Sequence, residues 1–506
     1  MRSLMARGYL PKELPFLFST GQLATVIHAA YRTLGAKKGL LTKPLTIPIA
    51  AKGGMRRTAS IPNPISQAKL VKIVVDEWQT IKAFCDESPI SFSRLCSPGR
   101  ERALRYERRG DPEHSYESMM LTKEFSQKRL ELSASSSHIL KADISNFYGS
   151  IYTHGISWAL HGKKVAKDKR RDPSLIGNRL DQAVRDCNDG QTKGIPIGPD
   201  TSRILSEIIG TAIDKRLVRT LAKRVSQGHE GIRWVDDFLL YFQTPGGRDK
   251  ALGTLVESLE AYELSLNHRK TQMLLPGEDM IEASWVQTLR RYHFKNRGIG
   301  QFYDLLGFVD AVAALAAKNP GDSVALYASK ILWTLRVDEA NLADFLAILW
   351  KLVHLDPRVV AVACIYTANL SRLLRDDKRL RKTSEEALTF HLAEFMERRW
   401  ALETCWLLWL CLKISAPVHN QLVAKLSQFD HPLVALAAIE VSKRGLIKDR
   451  LDIQEWKNSV NGPDALTGPR WMLAYELRRS GTLRTGMEIP FFEFLKKEGV
   501  SFLKLS

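Results

Sequence analysis

Cysteine is scarce in this chain. Six residues (Cys85, Cys96, Cys187, Cys364, Cys405 and Cys411) are scattered over 506 positions, with no CxxC spacing and no paired histidines beside them. That speaks against a zinc site or a disulfide framework and suits a reducing compartment. Long apolar runs are missing too. The strongest, Cys405 to Leu412, is far too short to cross a bilayer. Charges at Arg2, Arg7, Lys12 and Glu13 leave no room for a signal-peptide apolar core. These absences predict a cytoplasmic protein without membrane association. Acidic residues are the minority charge, 55 against 74 Lys and Arg, for a net charge of +19. Such an excess predicts a polyanionic partner, nucleic acid or nucleotides.

What is present is concentrated in Trp234-Val235-Asp236-Asp237-Phe238-Leu239-Leu240-Tyr241. Two adjacent carboxylates in an apolar, β-prone stretch are costly, because each raises the other's pKa and neither is well solvated. A divalent cation removes that cost. Oxygen-only ligands at a strand turn suit Mg²⁺, which completes its shell with water and substrate phosphates. Far upstream, Asp143 ends a second short apolar run, His138 to Asp143, and is followed by the aromatic pair Phe147-Tyr148. Strands distant in sequence can pair in one antiparallel sheet and bring such carboxylates to one edge. Two metal ions held there would stabilise the attacking and leaving oxygens of a phosphoryl displacement.

Between these runs lies a Gly/Pro-rich loop, Gln191 to Ser202, closed by helix-capping residues ahead of a helical run from about Arg203. Downstream, Leu266-Asn267-His268-Arg269-Lys270-Thr271 places a lysine where it can serve nucleotide phosphates.

In order and spacing, these four blocks resemble the palm motifs of reverse transcriptases. Asp143 matches the first motif, Gly194 to Ser202 the glycine–proline loop and helix, Asp236-Asp237 the aromatic-x-Asp-Asp motif, and Asn267 to Thr271 the lysine block. Gly8 to Pro15 and Arg57 to Pro64 are similar to the fingers. More narrowly, Phe147 to His154 and Ile195 to Pro199 resemble the abortive-infection (Abi) branch of bacterial enzymes, nearest the prophage-encoded P2 type. The likeness covers roughly residues 1–300.

The resemblance implies an α+β fold: fingers with part of the palm over 1–135, a palm over 136–300, and a helical, HEAT-like domain over 301–506 in place of an ordinary thumb. It implies two Mg²⁺ ions (or Mn²⁺) on Asp143, Asp236, Asp237 and the Ile144 carbonyl, with Lys270 assisting pyrophosphate departure. Arg57, Tyr148, Pro196, Ile197 and Gly198 would line the nucleotide site. A ring at Tyr148 would clash with a 2′-hydroxyl and favour dNTPs. One departure stands out: Ile197 occupies the place where templating enzymes usually carry Gln near the template strand. Like the altered thumb, it points to untemplated synthesis of single-stranded DNA primed from a protein tyrosine, in phage defence, by a homo-oligomer. Tyr9 is the candidate primer, with Tyr106, Tyr116 and Tyr327 no worse placed by sequence. The alternatives are a template-dependent RNA-directed DNA polymerase and an inactive RNA- or protein-binding scaffold.

Local patterns fill in the rest. Strands are expected over 138–152 and 230–243, and helices over 69–84, 203–224 and 248–266. A basic run from Lys163 to Arg171 is either a solvated loop or a phosphate contact. Past residue 310, periodic apolar helices follow with short breaks. Asp356-Pro357 divides two of them, and Thr383-Ser384-Glu385-Glu386 fits a capping box. Pro357 to Ala363 echoes Pro432 to Ala438 at an offset near two helical-hairpin repeats. Trp400, Trp406 and Trp409 are read as core residues.

Overall fold

The computed structural model describes residues 1–35, 40–93, 95, 112–225, 229–275, 277–280, 283–294 and 297–504. Cys96 and Tyr106 lie outside them, as does the side chain of Tyr116. The other five cysteines are buried and unpaired.

Two antiparallel sheets organise the first half of the chain. β1 (Leu45–Ala50) and β2 (Arg56–Ile61) form a hairpin. Leu45, Ile47 and Ile49 turn inward while Thr46 and Pro48 turn outward, as strand geometry requires. The second sheet has the order β4-β5-β3-β6, from β3 (His138–Asp143), β4 (His229–Trp234), β5 (Asp237–Phe242) and β6 (Gln272–Leu274). It is apolar on both faces. Leu140, Ala142, Phe238, Leu240 and Phe242 enter the main core, while Ile139, Ile232 and Tyr241 join Leu132 in a smaller cluster. Burial on both sides explains why these strands read as continuous apolar runs rather than alternating ones.

The expected strands are too long. β3 stops at Asp143 because Asn146, at φ 43°, starts the short helix Phe147–Ser150. The stretch 230–243 is two strands, reversed at Val235-Asp236. The helix expected over 69–84 is also two, Pro64–Asp76 and Trp78–Asp86, divided at Glu77. The Asn63 side chain caps the first by accepting from the Ile65 amide. Behind the sheet runs Asp200–Arg224, 25 residues long and mostly buried. It packs on Pro245–Glu260 and His154–His161.

Beyond residue 298 the described elements are helices. Val360–Asn369, Ala401–Ile414, Pro432–Lys443 and Trp471–Arg479 pack in succession, and Leu342–Leu355 packs on Lys378–Glu397 beside them. The sequence echo has a structural counterpart. Asp356 and His431 each accept the amide two residues on, each precedes a proline, and the helices they open flank Ala401–Ile414. The capping box at Thr383 is not one. It lies inside Lys378–Glu397, which is capped by Asp377 through the Arg379 and Leu380 amides. Trp406 and Trp409 are buried. Helix Ile299–Lys318 is long and apolar enough, by length and composition, to cross a bilayer, so the eight-residue limit read from sequence was too strict. In the fold Leu305, Phe308, Val309 and Val312 are buried along one side of it.

These C-terminal helices do not stand apart. Glu403, 1% exposed, takes two hydrogen bonds from Arg56 of β2, whose guanidinium also lies 4.0 Å from the Trp400 ring. Trp406 Nε1 donates to the Glu13 carbonyl and Asn63 Nδ2 to the Leu466 carbonyl. Phe18 bridges Leu503, with the Ser19 amide donating to Phe502 and the Lys504 amide to Leu17.

Candidate active site

Antiparallel pairing of β3 with β5 places Asp143 directly opposite Asp237. Opposite residues share one face with Cβ atoms about 5 Å apart, and like charges there repel. Asp236 occupies the second position of the turn closing β4 to β5. Its carbonyl accepts the Ile144 amide at 3.1 Å, which docks the turn on the end of β3. Three carboxylates thus meet at one end of the two central strands.

The cluster is held by the lysine block. Lys270 Nζ donates to Asp143 Oδ2 at 2.8 Å, and Asn267 Nδ2 to Asp143 Oδ1 at 3.1 Å. The Asn267 amide also donates to the Asp143 carbonyl. The ladder bonds flanking the Ile144–Leu266 bridge leave the Ile144 carbonyl unused. Burial, then repulsion from Asp143, raises the Asp236 carboxyl above its usual range, with Lys270 opposing. Partial burial, then Asp236 and Asp143, pushes Asp237 up to about 6, although the residue stays open to solvent. Lys270 is raised chiefly by its bond to Asp143. A set of oxygen donors whose charges resist one another fits hard divalent cations. Asp143, Asp236, Asp237 and the Ile144 carbonyl would hold them, with the ammonium of Lys270 standing at Asp143.

The turn beneath Asp236 is strained. Val235 has φ 57°, at the first position of a two-residue hairpin turn where glycine is usual. A β-branched residue in that region costs about 1–3 kcal/mol and persists only if its surroundings impose it. They do. The Val235 amide donates to Ser93 Oγ at 3.0 Å, and its carbonyl accepts from Arg233 Nη1 at 2.9 Å. Arg233 is fully buried. It bonds both oxygens of Asp214 and both of Glu207, while Ser88 and Ser91 donate to the same carboxylates. Gly210 makes room: a Cβ there would meet the guanidinium carbon at 2.6 Å.

The glycine–proline loop seats against both flanks. The Gly194 and Ile195 amides donate to the Ile151 and Tyr148 carbonyls, and the Ile197 carbonyl accepts the Ser60 amide of β2 at 2.7 Å. Pro196 is buried, Ile197 partly so. Gly198, at φ 134°, is required twice over, since a Cβ would strike Pro11 at 2.7 Å. The helix after the loop has Pro199 at its cap and no side-chain cap bond, unlike the capping expected there. Tyr148 borders the carboxylates. Its hydroxyl accepts from Ser206 at 3.3 Å, and burial raises it, with Asp236 adding to the effect.

Other expected residues fall elsewhere. Arg57 pairs with Glu13 at 2.7 Å on the β1–β2 hairpin. Tyr9, the candidate primer, is fully buried, donates to the Pro62 carbonyl at 2.5 Å, and is pushed well up by burial. In this conformation it offers no free nucleophile. Tyr327 accepts from Arg290 Nε at 3.4 Å, outside this cluster. In the basic run, Lys163 lies 4.2 Å over the Trp158 ring.

Asp200, beside Gly8, Lys12 and Arg203, is pushed up to about 7, mainly by burial. A raised folded-state value means that protonation stabilises. The contribution is full below about pH 4 and lost as pH rises through about 7. Asp200→Asn is therefore expected to raise the melting temperature at pH 8 and leave it unchanged at pH 4, as read by thermal denaturation at both.

Residues 101–308 match the family described as "Reverse transcriptase (RNA-dependent DNA polymerase)". The chain carries a reverse-transcriptase domain there, and the reaction of such domains is nucleotidyl transfer, generally with divalent metal ions. Among solved structures, it is similar to apo telomerase from Candida tropicalis truncated from its C-terminal domain (14% identity, TM-score 0.31, 47% of this chain and 51% of that one). It is also similar to the apo telomerase of that organism (12%, 0.33, 81% and 68%). Telomerase from Candida albicans in complex with a fragment of telomeric RNA matches at 11% and 0.31, over 67% and 64%. The chain spans about half the length of the first of these. No curated protein sequence matches it.

Proposed function

We propose that this protein is a DNA polymerase of the reverse-transcriptase type that joins dNTPs without a template, from a tyrosine of its own chain, and acts in phage defence. The observation that carries the chemistry is the convergence of Asp143, Asp236 and Asp237 at one end of the two central strands with Lys270 on Asp143. Mg²⁺ held by these oxygens supplies charge stabilisation for phosphoryl displacement. The protein positions the carboxylates, supplies a cation at Lys270, and sets the Tyr148 ring against the sugar. Ile197, with no hydrogen-bonding side chain, supports untemplated addition, and the resemblance to the Abi branch supports protein priming and a homo-oligomer. On this reading the C-terminal helices are a HEAT-like array in place of a thumb, and the single-stranded product stays on the protein.

The test is purified full-length protein with labelled dNTPs and Mg²⁺, without primer or template. Label that stays with the protein after denaturation supports the proposal. Incorporation only when primer–template is added turns the assignment to templated copying, and none in either case removes it. Tyr148→Val is expected to raise incorporation of ribonucleotides relative to deoxynucleotides by at least about tenfold, in competition assays.

A further inference from the structure

Away from these strands, the packed pair of helices Leu342–Leu355 and Lys378–Glu397 brings together three side chains with no role in nucleotide chemistry. We propose that His354, His391 and Glu394 bind one divalent transition-metal ion, with Zn²⁺ the best suited. One nitrogen from each imidazole and one carboxylate oxygen lie within 4.8 Å of one another. Glu394 Oε2 is 3.7 Å from His391 Nδ1 and 3.8 Å from His354 Nδ1.

Those separations are too long for hydrogen bonds. They are close to what a shared ion requires. Ligands about 2.0–2.2 Å from a tetrahedral Zn²⁺ lie about 3.3–3.5 Å apart, so the carboxylate closes on each imidazole by a few tenths of an ångström, and the two imidazole nitrogens, within 4.8 Å of each other, by up to about 1.4 Å through side-chain rotation.

Two further observations point to a missing ligand. His391 is 2% exposed, and its Nδ1, facing the carboxylate, has no hydrogen-bond partner. A buried acceptor left unpaired is costly, and a metal ion is what a neutral imidazole nitrogen accepts in place of a donor. The surroundings also hold the ligands in place. The His391 ring stacks on Trp350, with centroids 5.2 Å apart at 29°. Glu394 Oε1 is bound by Arg398 Nη2 at 3.0 Å, which leaves Oε2 for the two imidazoles. Such outer contacts orient ligands at established metal sites.

The donor chemistry narrows the ion. Two imidazoles with one carboxylate and no thiolate suit Zn²⁺ and its first-row neighbours rather than Mg²⁺. His354, 44% exposed in its side chain, gives a path of entry. Glu394 also borders a surface hollow of about 420 Å³. Bound there, the ion joins the two helices and stabilises the C-terminal half without touching the carboxylates of the palm.

The test uses the full chain carrying Asp236→Asn, so that the palm cluster is weakened as a competing site, freed of metal with a chelator and titrated with ZnSO₄. One equivalent bound per chain, with a rise in melting temperature, is expected. His354→Ala, a change at an exposed side chain, is expected to lower the affinity by at least about tenfold and abolish the rise. His391→Ala should do the same, but tests packing as well. Equal binding and equal thermal response with and without His354→Ala overturns the proposal, as does the absence of any bound Zn²⁺.

Discussion

Asp236→Asn is expected to abolish nucleotide incorporation, by at least about 10³-fold, while raising the melting temperature measured in a chelator. The two effects share one cause. Asp236 is a carboxylate that burial and Asp143 already hold above its usual range, and Asp237 beside it is pushed to about 6. Removing one charge relieves that repulsion, so the metal-free fold gains. The same removal deletes an oxygen donor from a three-carboxylate set. A loss of 10³ corresponds to about 4 kcal/mol of transition-state stabilisation, in the range expected for a metal contact. Mg²⁺ should raise the melting temperature of the unaltered protein, because it binds the folded state alone, and do so much less for the variant. Incorporation within tenfold of the unaltered protein would remove Asp236 from the site.

Arg233→Met is expected to be the most destabilising single change near the site, by about 3–5 kcal/mol, because it strands Glu207 and Asp214 as buried, uncompensated charges. Chemical denaturation would read this directly. It also removes the bond that holds the Val235 carbonyl, so the turn beneath Asp236 is free to leave its strained conformation. The two consequences separate in the triple variant Arg233→Met, Glu207→Gln, Asp214→Asn. Neutral partners restore most of the stability, whereas nothing restores the bond to Val235. Stability recovered together with full incorporation would mean that Arg233 supports the fold and does not position the turn.

The carboxylates were legible because each sits where an apolar run breaks, and a charge in that position needs an explanation. Their convergence followed from pairing two short strands, and register did the rest. The turn was not legible: Trp234 to Tyr241 is uniformly apolar on either side of the acidic pair, so nothing in the pattern marks a reversal at a valine. Arg233 offered one signal, an arginine within a buried strand, and Gly210 another, a glycine in mid-helix. They become related only when the fold brings them together. Lys69 to Phe84 failed differently, since a helical period continues across Glu77 although the backbone there, at φ −100° and ψ 14°, leaves the helix. His354, His391 and Glu394 escaped a search for metal ligands keyed to cysteine, because two helices supply them from separate parts of the chain.

The bonds between β2 and Glu403, between Asn63 and Leu466, and between residues 17–19 and 502–504 bear on how this molecule moves. Polymerases commonly admit a nucleotide by swinging the fingers over the palm. Here the β1–β2 hairpin, the fingers of the proposed reading, and the chain on either side of it are fastened to the C-terminal helices by polar contacts at several points. Any swing must carry those helices as ballast or break the fastenings first. If the polymerase reading proposed above holds, the helical half would act as a brake on substrate entry, and a partner gripping its outer surface would set the pace at which nucleotides are admitted.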